Sequence, residues 1–175
     1  MPRLLWLLCF VNLIVGTGAF VIGGILTPIS QQLGISVPTA GQAMTAYALS
    51  TALLAPVVLL ATGRWPRKSA LLMALALFTL GNLLCALSSS FATLIAGRVL
   101  MGLRAVFTPI AAGIAVAVVE PAQRGKALAL TFLGISLSYV VGVPLGSWLA
   151  LAYEWHTPIW VITGFSALAF IGAAL

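Results

Sequence analysis

The sequence predicts an all-α membrane protein with six transmembrane helices, and three observations support this. The chain of 175 residues is 62% hydrophobic and 6% charged, whereas soluble domains carry about 25% charged residues. Its mean hydropathy is +1.21. Apolar runs close to the roughly 20 residues that a helix needs to cross the hydrocarbon core alternate with short polar segments. We therefore expect the lipid bilayer to be the main partner of the chain.

The apolar runs define six spans within one domain, residues 1–175. Helix-terminus chemistry separates them: Thr39 to Gln42 fits a capping box, and Pro121 and Pro158 each occupy the place of a first helical residue. The amino terminus imitates a signal peptide, but the apolar run continues to Leu26, which favours an uncleaved first span. The predicted spans are residues 4–27, 41–62, 69–87, 91–119, 126–151 and 158–175.

The basic residues predict the orientation of these spans. The densest charge cluster is residues 63–68, GRWPRK, and the other basic residues outside the spans lie at the amino terminus or between spans four and five. The first, third and fifth loops contain no Lys or Arg. Because short cytoplasmic loops carry excess Lys and Arg, both termini are predicted to be cytoplasmic. The net charge of +6 therefore reflects topology and not nucleic-acid binding.

The reactive residues argue against an enzyme or a metal site. An intramembrane serine protease needs a Ser–His contact, and the single histidine, His156, falls in a segment that we predict to be an exposed loop. No His, Cys, Asp and Glu cluster suits a metal. Cys9 and Cys85 lie in apolar runs, where thiols act as small hydrophobic groups. We expect no catalytic residues, metal or disulfide, and a role in transport, channel activity or membrane assembly.

Four motifs follow one another along the chain. They are residues 16–26 (GTGAFVIGGIL) with 32–36 (QLGIS), residues 63–68, residues 98–102 (RVLMG) and residues 142–146 (GVPLG). Their order and spacing resemble the amino-terminal half of a major facilitator superfamily transporter of the drug and sugar proton-antiporter type, over the whole chain. The resemblance implies a six-helix half-bundle built as an inverted 3+3 repeat. It also implies a small organic substrate and, in place of a cofactor, a proton gradient across a bacterial inner membrane.

Gly134, Ser138, Gly142 and Gly146 form a stripe of small residues on the predicted fifth span. Such a stripe lets another helix backbone approach closely. The residues alone leave static packing as one alternative. The resemblance implies a contact that opens and closes as two halves move, with Pro144 loosening the helix.

Arg98 lies inside the predicted fourth span, about 10 Å beyond Phe91. Two placements are open: the side chain snorkels to the outer interface, or it faces a water-filled cavity. The resemblance favours the cavity and implies a role in proton coupling or substrate orientation. Gly102, Ala105 and Pro109 share its helix face. This face therefore carries one charged side chain, two small residues and a proline at which the helix can kink.

Arg104 lies deeper, about 20 Å from Phe91, where the resemblance implies a small or uncharged residue. It is about 120° around the helix from Arg98, so we expect the two not to share a partner. Three alternatives are open for its partner: an anionic group, an acid from a second half, or backbone carbonyls, with Thr108 one turn further on.

The two acids of the chain, Glu120 and Glu154, both lie at span ends. The resemblance implies a Glu in the first span at the position of Ala19. A proton carrier needs a titratable group in the pathway. Either a second half supplies it, or the protein is not a proton antiporter.

The resemblance implies that the cytoplasmic loop of residues 63–68 is a gate, with Arg64, Arg67 and Lys68 as its basic residues. The resemblance implies an acid at the position of Gly63. We expect Glu120, at the cytoplasmic end of the fourth span, to replace that acid by pairing with Arg64 or Arg67.

Polar side chains within the spans are the candidate lining of a substrate cavity. Because the chain is still apolar at Leu175, we expect a fragment of a longer transporter, whose carboxyl-terminal half is a partner. Two functions are open: efflux of a drug-like, sugar-like or nucleoside-like compound, or a non-transporting subunit or self-dimerising half. The candidate cavity residues are Asn12, Thr17, Tyr47, Ser50, Arg98, Arg104, Thr108, Ser138 and Tyr139.

Overall fold

A computed structural model describes residues 2–174 of the chain, which are helical over most of their length. The predicted domain runs from Met1 to Leu175, and Leu175 is also the predicted end of the sixth span. Both residues lie outside the described residues. The helices are α1 (Arg3–Gly24), α2 (Leu26–Leu33), α3 (Val37–Thr62), α4 (Arg67–Ala86), α5 (Phe91–Gly102), a 3₁₀ turn (Leu103–Val106), α6 (Phe107–Ala117), a second 3₁₀ turn (Pro121–Gln123), α7 (Arg124–Leu137), a π-helical turn (Ser138–Gly142), α8 (Val143–Ala152) and α9 (His156–Ala174).

Six stretches of the described residues are long and apolar enough to cross a membrane, which confirms the predicted fold class. We call them the first to sixth spans in chain order. The fourth span contains α5, the first 3₁₀ turn and α6, and the fifth runs from the second 3₁₀ turn through α8. The six spans are Arg3–Gly24, Val37–Thr62, Arg67–Ala86, Phe91–Ala117, Pro121–Ala152 and His156–Ala174.

The second span begins earlier than predicted. Its N-cap is Ser36, whose hydroxyl accepts a hydrogen bond from the backbone N–H of Thr39 at 3.2 Å. The expected capping box at Thr39 is therefore wrong, because Ser36 supplies the same chemistry one turn earlier and Pro38 favours the first helical turn. A capping box does occur at the start of the fourth span, between Ser90 and Thr93.

Three interruptions of the helices each precede a proline. Proline lacks an N–H, and its ring clashes with the carbonyl four residues earlier, so the helix relaxes in the turn before it. Pro56 is the exception, since it lies inside the regular helix α3. The interruptions are the break at Ile25 before Pro28, the first 3₁₀ turn before Pro109 and the π-helical turn before Pro144.

The first span lies at the centre of the bundle. In its most apolar window 72% of the residues are buried, against 17% for the second and fifth spans. It packs mainly against the fifth span, while the third span packs against the fourth and sixth. The second and fifth spans present large apolar side chains outward, such as Leu60 and Val140. Their outer faces suit hydrocarbon or another helical bundle.

The small-residue stripe of the fifth span packs against the first span. A Cβ atom at Gly134 would collide with the carbonyl oxygen of Cys9. Nearby, the Asn12 amide donates a hydrogen bond of 2.9 Å to the carbonyl of Thr131. The bundle therefore uses the stripe as internal packing, and its movement between two halves stays a prediction. The other stripe contacts join Ser138 to Gly16, Gly142 to Thr17 and Gly146 to Val21.

Gly134→Ala is expected to destabilise the bundle, because the added methyl group pushes against backbone atoms of the first span. Overpacking of this kind costs about 1–3 kcal/mol. The expected result is a lower thermal unfolding temperature of the purified protein, measured by its tryptophan fluorescence.

The matched control is Gly164→Ala, since nothing lies within 4 Å of a Cβ at Gly164. This change is expected to alter stability by less than about 0.5 kcal/mol. Equal effects of the two substitutions would contradict close packing at Gly134.

Candidate functional site

Arg98 joins three spans in the centre of the bundle and is only 1% exposed. Its Nη1 donates to the carbonyl of Gly18 at 2.9 Å and its Nη2 to the carbonyl of Ala19 at 2.6 Å. Its Nε lies 3.4 Å from the carbonyl of Ala43. The guanidinium on the fourth span is therefore held by backbone oxygens of the first and second spans.

Neither of the two predicted placements of Arg98 is observed. The side chain does not snorkel to an interface, and its 1% exposure leaves no contact with a water-filled cavity in this conformation. The physical reason is that Gly18, Ala19 and Ala43 are small. Their backbone oxygens are within reach of the long arginine side chain and satisfy its donors inside the bundle.

Tyr47 on the second span is contacted by both intramembrane arginines. The Arg98 guanidinium carbon lies 5.0 Å from the centre of the Tyr47 ring, and Arg104 Nη2 donates a hydrogen bond to the Tyr47 hydroxyl. The Arg104 guanidinium also lies over the Phe78 ring at 5.6 Å. Each cation on an aromatic face gains about 0.5–2 kcal/mol.

The prediction that the two arginines have separate partners is wrong. It assumed a regular α-helix, whereas the 3₁₀ turn between them has about three residues per turn and rotates Arg104 differently. The long side chains then reach the same ring from two positions. Of the alternatives for Arg104, the bond to backbone carbonyls is not the one observed, since a tyrosine hydroxyl takes that place.

Positive charge dominates the electrostatics of this site. Two guanidinium groups surround one aromatic ring, while both carboxylates of the chain, Glu120 and Glu154, are exposed at the ends of spans. Burying a cation is costly unless it is paired or hydrogen-bonded. The carbonyls satisfy the donors of Arg98 but carry no full negative charge, so the centre of the bundle remains positive.

A groove opens beside this site, between the first and second spans. It has a volume of about 750 Å³, and Tyr47 lines it. The ring of Tyr139 packs against the ring of Phe20, which lines the groove, with 4.8 Å between the two ring centres. The groove is lined by Ala19, Phe20, Met44, Thr45, Tyr47, Ala48, Leu49, Thr51 and Ala52.

Other predicted cavity residues lie in contacts between helices. Asn12, Ser50 and Ser138 are buried, and the two serine hydroxyls donate to carbonyls of their own helices. Thr17 donates to the carbonyl of Leu13, and Thr108 is half-buried on α6. Except for Thr108, these side chains donate to backbone carbonyls, and none of the five lines the groove.

The groove also contains residues that the sequence analysis did not single out. Thr51 lies one turn beyond Tyr47 on α3, and the four-residue spacing of two hydroxyl side chains was the available signal. Phe20, which lines the groove, and Phe78, which lies against the Arg104 guanidinium outside that lining, were both counted with the apolar residues, because nothing in their spacing indicated these contacts.

Two basic residues of the loop connect the start of the third span to other helices. Arg67 Nη1 donates to the carbonyl of Gly113 at 2.9 Å, and Lys68 Nζ donates to the carbonyl of Ala174 at 2.6 Å. Ala174 ends α9, where the helix dipole favours a cation. The loop therefore links the third span to the fourth and sixth.

The predicted pairing of Glu120 with Arg64 or Arg67 is not among the contacts of residues 2–174. Glu120 is exposed, and the hydrogen bond that Arg67 makes goes to Gly113. Helix carbonyls near a C-terminal end carry enough partial negative charge to hold a cation without a carboxylate.

His156 differs from its predicted place in an exposed loop. It is the first residue of α9 and half-buried. Its ring lies 3.6 Å from the ring of the buried Trp155, and its Nε2 is 2.9 Å from the carbonyl of Ser88. The histidine thus connects the third and fifth loops.

Six apolar spans around the buried Arg98 and the half-buried Arg104 define a polytopic membrane protein with a polar centre. The family model of the Major Facilitator Superfamily matches residues 8–175. The chain belongs to this family of transporters, as the sequence motifs predicted.

Relatives and solved structures agree with this assignment. The chain is 34% identical to the uncharacterized MFS-type transporter YbcL of Bacillus subtilis (strain 168), over 96% of this chain and 42% of that protein. It is 34% identical to a chloramphenicol resistance protein of Streptomyces lividans, over 93% of this chain and 42% of that protein. A crystal structure of the peptide transporter POT in complex with sulfate shares the fold with a TM-score of 0.84 at 17% identity, over 99% of this chain and 37% of the POT chain.

The chain spans about two fifths of the length of the curated relatives it matches. What is described here is therefore equivalent to one part of those transporters.

Lys68→Met is expected to loosen the end of the sixth span, because the carbonyl of Ala174 loses its cation. The measurement is hydrogen exchange of backbone amides in the last turns of α9, which should become faster. Arg64→Met is the control, since Arg64 is an exposed cation of the same loop. If both substitutions change the exchange equally, the effect is one of general charge and the specific contact is refuted.

Proposed function

We propose that this chain forms the amino-terminal half of an exporter in a bacterial cell (inner) membrane. The exporter moves a small organic compound outward by alternating access and takes up protons in exchange. Membership of a transporter family supports the transport activity. The relative named for chloramphenicol resistance supports export, since moving a drug out of the cell is one way to resist it.

The observation that carries the proposal is the burial of Arg98. An arginine at the centre of a span costs about 2.5–3.5 kcal/mol on insertion scales. The carbonyls that hold it lie in helices, whose own N–H groups can satisfy them, so the bundle does not need the arginine for its backbone. An apolar side chain of similar length would fill the same space without the cost of a buried charge. A cation retained under these conditions supports a role in transport.

A second six-helix half is part of the proposal. Alternating access requires two bundles that move against each other around a central site. The curated relatives are more than twice as long as the matched region, and the second and fifth spans of this bundle are the least buried. We assign the proton-carrying group to the second half, because the two carboxylates of this chain are exposed at span ends.

Arg98→Met is expected to slow transport strongly while leaving the fold intact. The full-length protein is reconstituted into vesicles, and the pH change that follows addition of chloramphenicol or another candidate solute is measured. Loss of charged hydrogen bonds should lower the transport rate by roughly tenfold or more. The unfolding temperature of the variant should equal or exceed that of the wild type.

Arg98→Lys is the companion variant, since it keeps the charge but presents one ammonium group where the guanidinium reaches three carbonyls. It is expected to fall between the wild type and Arg98→Met in transport rate. If Arg98→Met strongly lowered the unfolding temperature, the arginine would have a structural role in place of the proposed role in transport. Unchanged transport in that variant would refute the role of Arg98, and a wild type that moves no solute would favour a non-transporting subunit.

The cytoplasmic orientation of the termini is tested by cysteine labelling in intact cells. Gly125→Cys lies at the exposed start of α7 between Arg124 and Lys126, and Tyr153→Cys lies in the fifth loop, where the native tyrosine is 70% exposed. A membrane-impermeant maleimide is expected to label only Tyr153→Cys. The native thiols of Cys9 and Cys85 are buried and give little background. Labelling of Gly125→Cys alone would invert the predicted topology.

A further inference from the structure

We propose that Arg104 and Thr51 form a binding site for the carboxylate of an organic anion, with Tyr47 positioning the arginine. The transported solute is the source of this carboxylate, so the proposal rests on the function proposed above and narrows its substrate class to compounds with an apolar body and one acidic group.

The first observation is a pair of buried donors without partners. Arg104 Nε and Thr51 Oγ1 are both shielded from solvent, and neither has a hydrogen-bond partner among the described residues. A guanidinium can only donate hydrogen bonds, and a threonine hydroxyl can donate one. A buried donor that stays unsatisfied destabilises the folded protein, because it has lost its hydrogen bonds to water. What the two groups lack is an acceptor, and a carboxylate offers two oxygens.

The two donors lie at one crossing of helices. The fourth span approaches the second so closely at Gly102 that a Cβ atom there would collide with Ser50 and lie 2.9 Å from the backbone nitrogen of Thr51. Arg104 follows Gly102 in the 3₁₀ turn and bonds to Tyr47, one turn before Thr51 on α3. The 3₁₀ turn therefore directs Arg104 toward the helix that carries Thr51.

The second observation is the charge around this crossing. Arg98 and Arg104 both lie on the Tyr47 ring, and the only acids of the chain are exposed at span ends. The donors of Arg98 are committed to backbone carbonyls. Arg104 bonds to one neutral hydroxyl and keeps donors free. The excess positive charge and the free donors thus coincide at Arg104.

The shape and the apolar lining of the groove favour an organic anion as the ligand. Tyr47 and Thr51 line the groove of about 750 Å³, whose other walls are mostly apolar. The planar guanidinium matches the two oxygens of a carboxylate. A compound with an aromatic or aliphatic body would lie against the apolar walls while its acidic group reaches the arginine.

The test measures binding and does not depend on transport. The purified full-length protein is titrated with benzoate, and with benzamide, which has the same ring but no charge. Ligand binding stabilises the folded protein by RT ln(1 + c/Kd) at ligand concentration c, so the rise of the unfolding temperature with ligand concentration gives an apparent dissociation constant. Benzoate is expected to stabilise the wild-type protein, and benzamide at the same concentration is not.

Arg104→Gln is expected to raise the dissociation constant of benzoate by roughly tenfold to a hundredfold, the range for a charge-assisted hydrogen bond. Arg124→Gln removes the same charge from an exposed position at the start of α7 and should leave binding unchanged. Tyr47→Phe keeps the ring but removes the hydroxyl that holds Arg104. It should weaken binding by roughly threefold to tenfold, and it provides the test if Arg104→Gln fails to fold.

Three outcomes overturn the proposal. Equal stabilisation by benzoate and benzamide would mean that the ring and not the charge is recognised. Retained benzoate affinity in both Arg104→Gln and Tyr47→Phe would place the anion elsewhere. If benzoate leaves the wild type unaffected while Arg104→Gln destabilises the unliganded protein, an acidic side chain of the second half occupies the site.

Failure of this site and failure of the proposed export give different results. Export of neutral compounds without benzoate binding would leave the transport proposal standing and remove this one. Arg104-dependent benzoate binding in a protein that moves no solute would do the reverse.

Discussion

The arrangement of the polar centre depends on one contact, the guanidinium of Arg98 on the carbonyls of Gly18 and Ala19. It joins the fourth span to the first, and the bond to Ala43 brings in the second span. The 3₁₀ turn that follows then determines where Arg104 points, and Tyr47 accommodates both cations on one ring. The positive centre beside the groove therefore follows from the burial of a single side chain.

Backbone oxygens take the place of carboxylates throughout this acid-poor chain. Ala19 stands where the resemblance implies a glutamate, and its carbonyl still receives Arg98. At the loop, Gly113 and Ala174 hold Arg67 and Lys68 where an acid was expected. Carbonyl oxygens do not titrate at physiological pH, so these contacts persist across the range in which carboxylates or histidines change charge. The contacts that hold the helices are thereby independent of pH across this range.

Hydropathy was sufficient to predict the six spans, because length and apolarity alone decide which segments can cross a bilayer. The small-residue stripe of the fifth span was also visible as a four-residue repeat. The partners of polar side chains were not predictable. A helix that is apolar on all sides has no preferred face, and the carbonyls that hold Arg98 leave no trace in the sequence. The expected angle between Arg98 and Arg104 failed for a related reason, since the 3₁₀ turn is a consequence of packing and of Pro109 further along the chain.

The interruptions before Pro28, Pro109 and Pro144 divide helices of the bundle into pairs of short rods. A regular helix resists bending because every backbone hydrogen bond along it has to stretch. At these joints the carbonyl four residues before the proline already lacks its usual N–H donor, so one rod can tilt against the next with little further loss. Two of these joints lie in the spans that supply Arg104 and the glycine stripe. The stiffness of the bundle is therefore uneven along the membrane normal, with its most compliant level near the depth of Arg104.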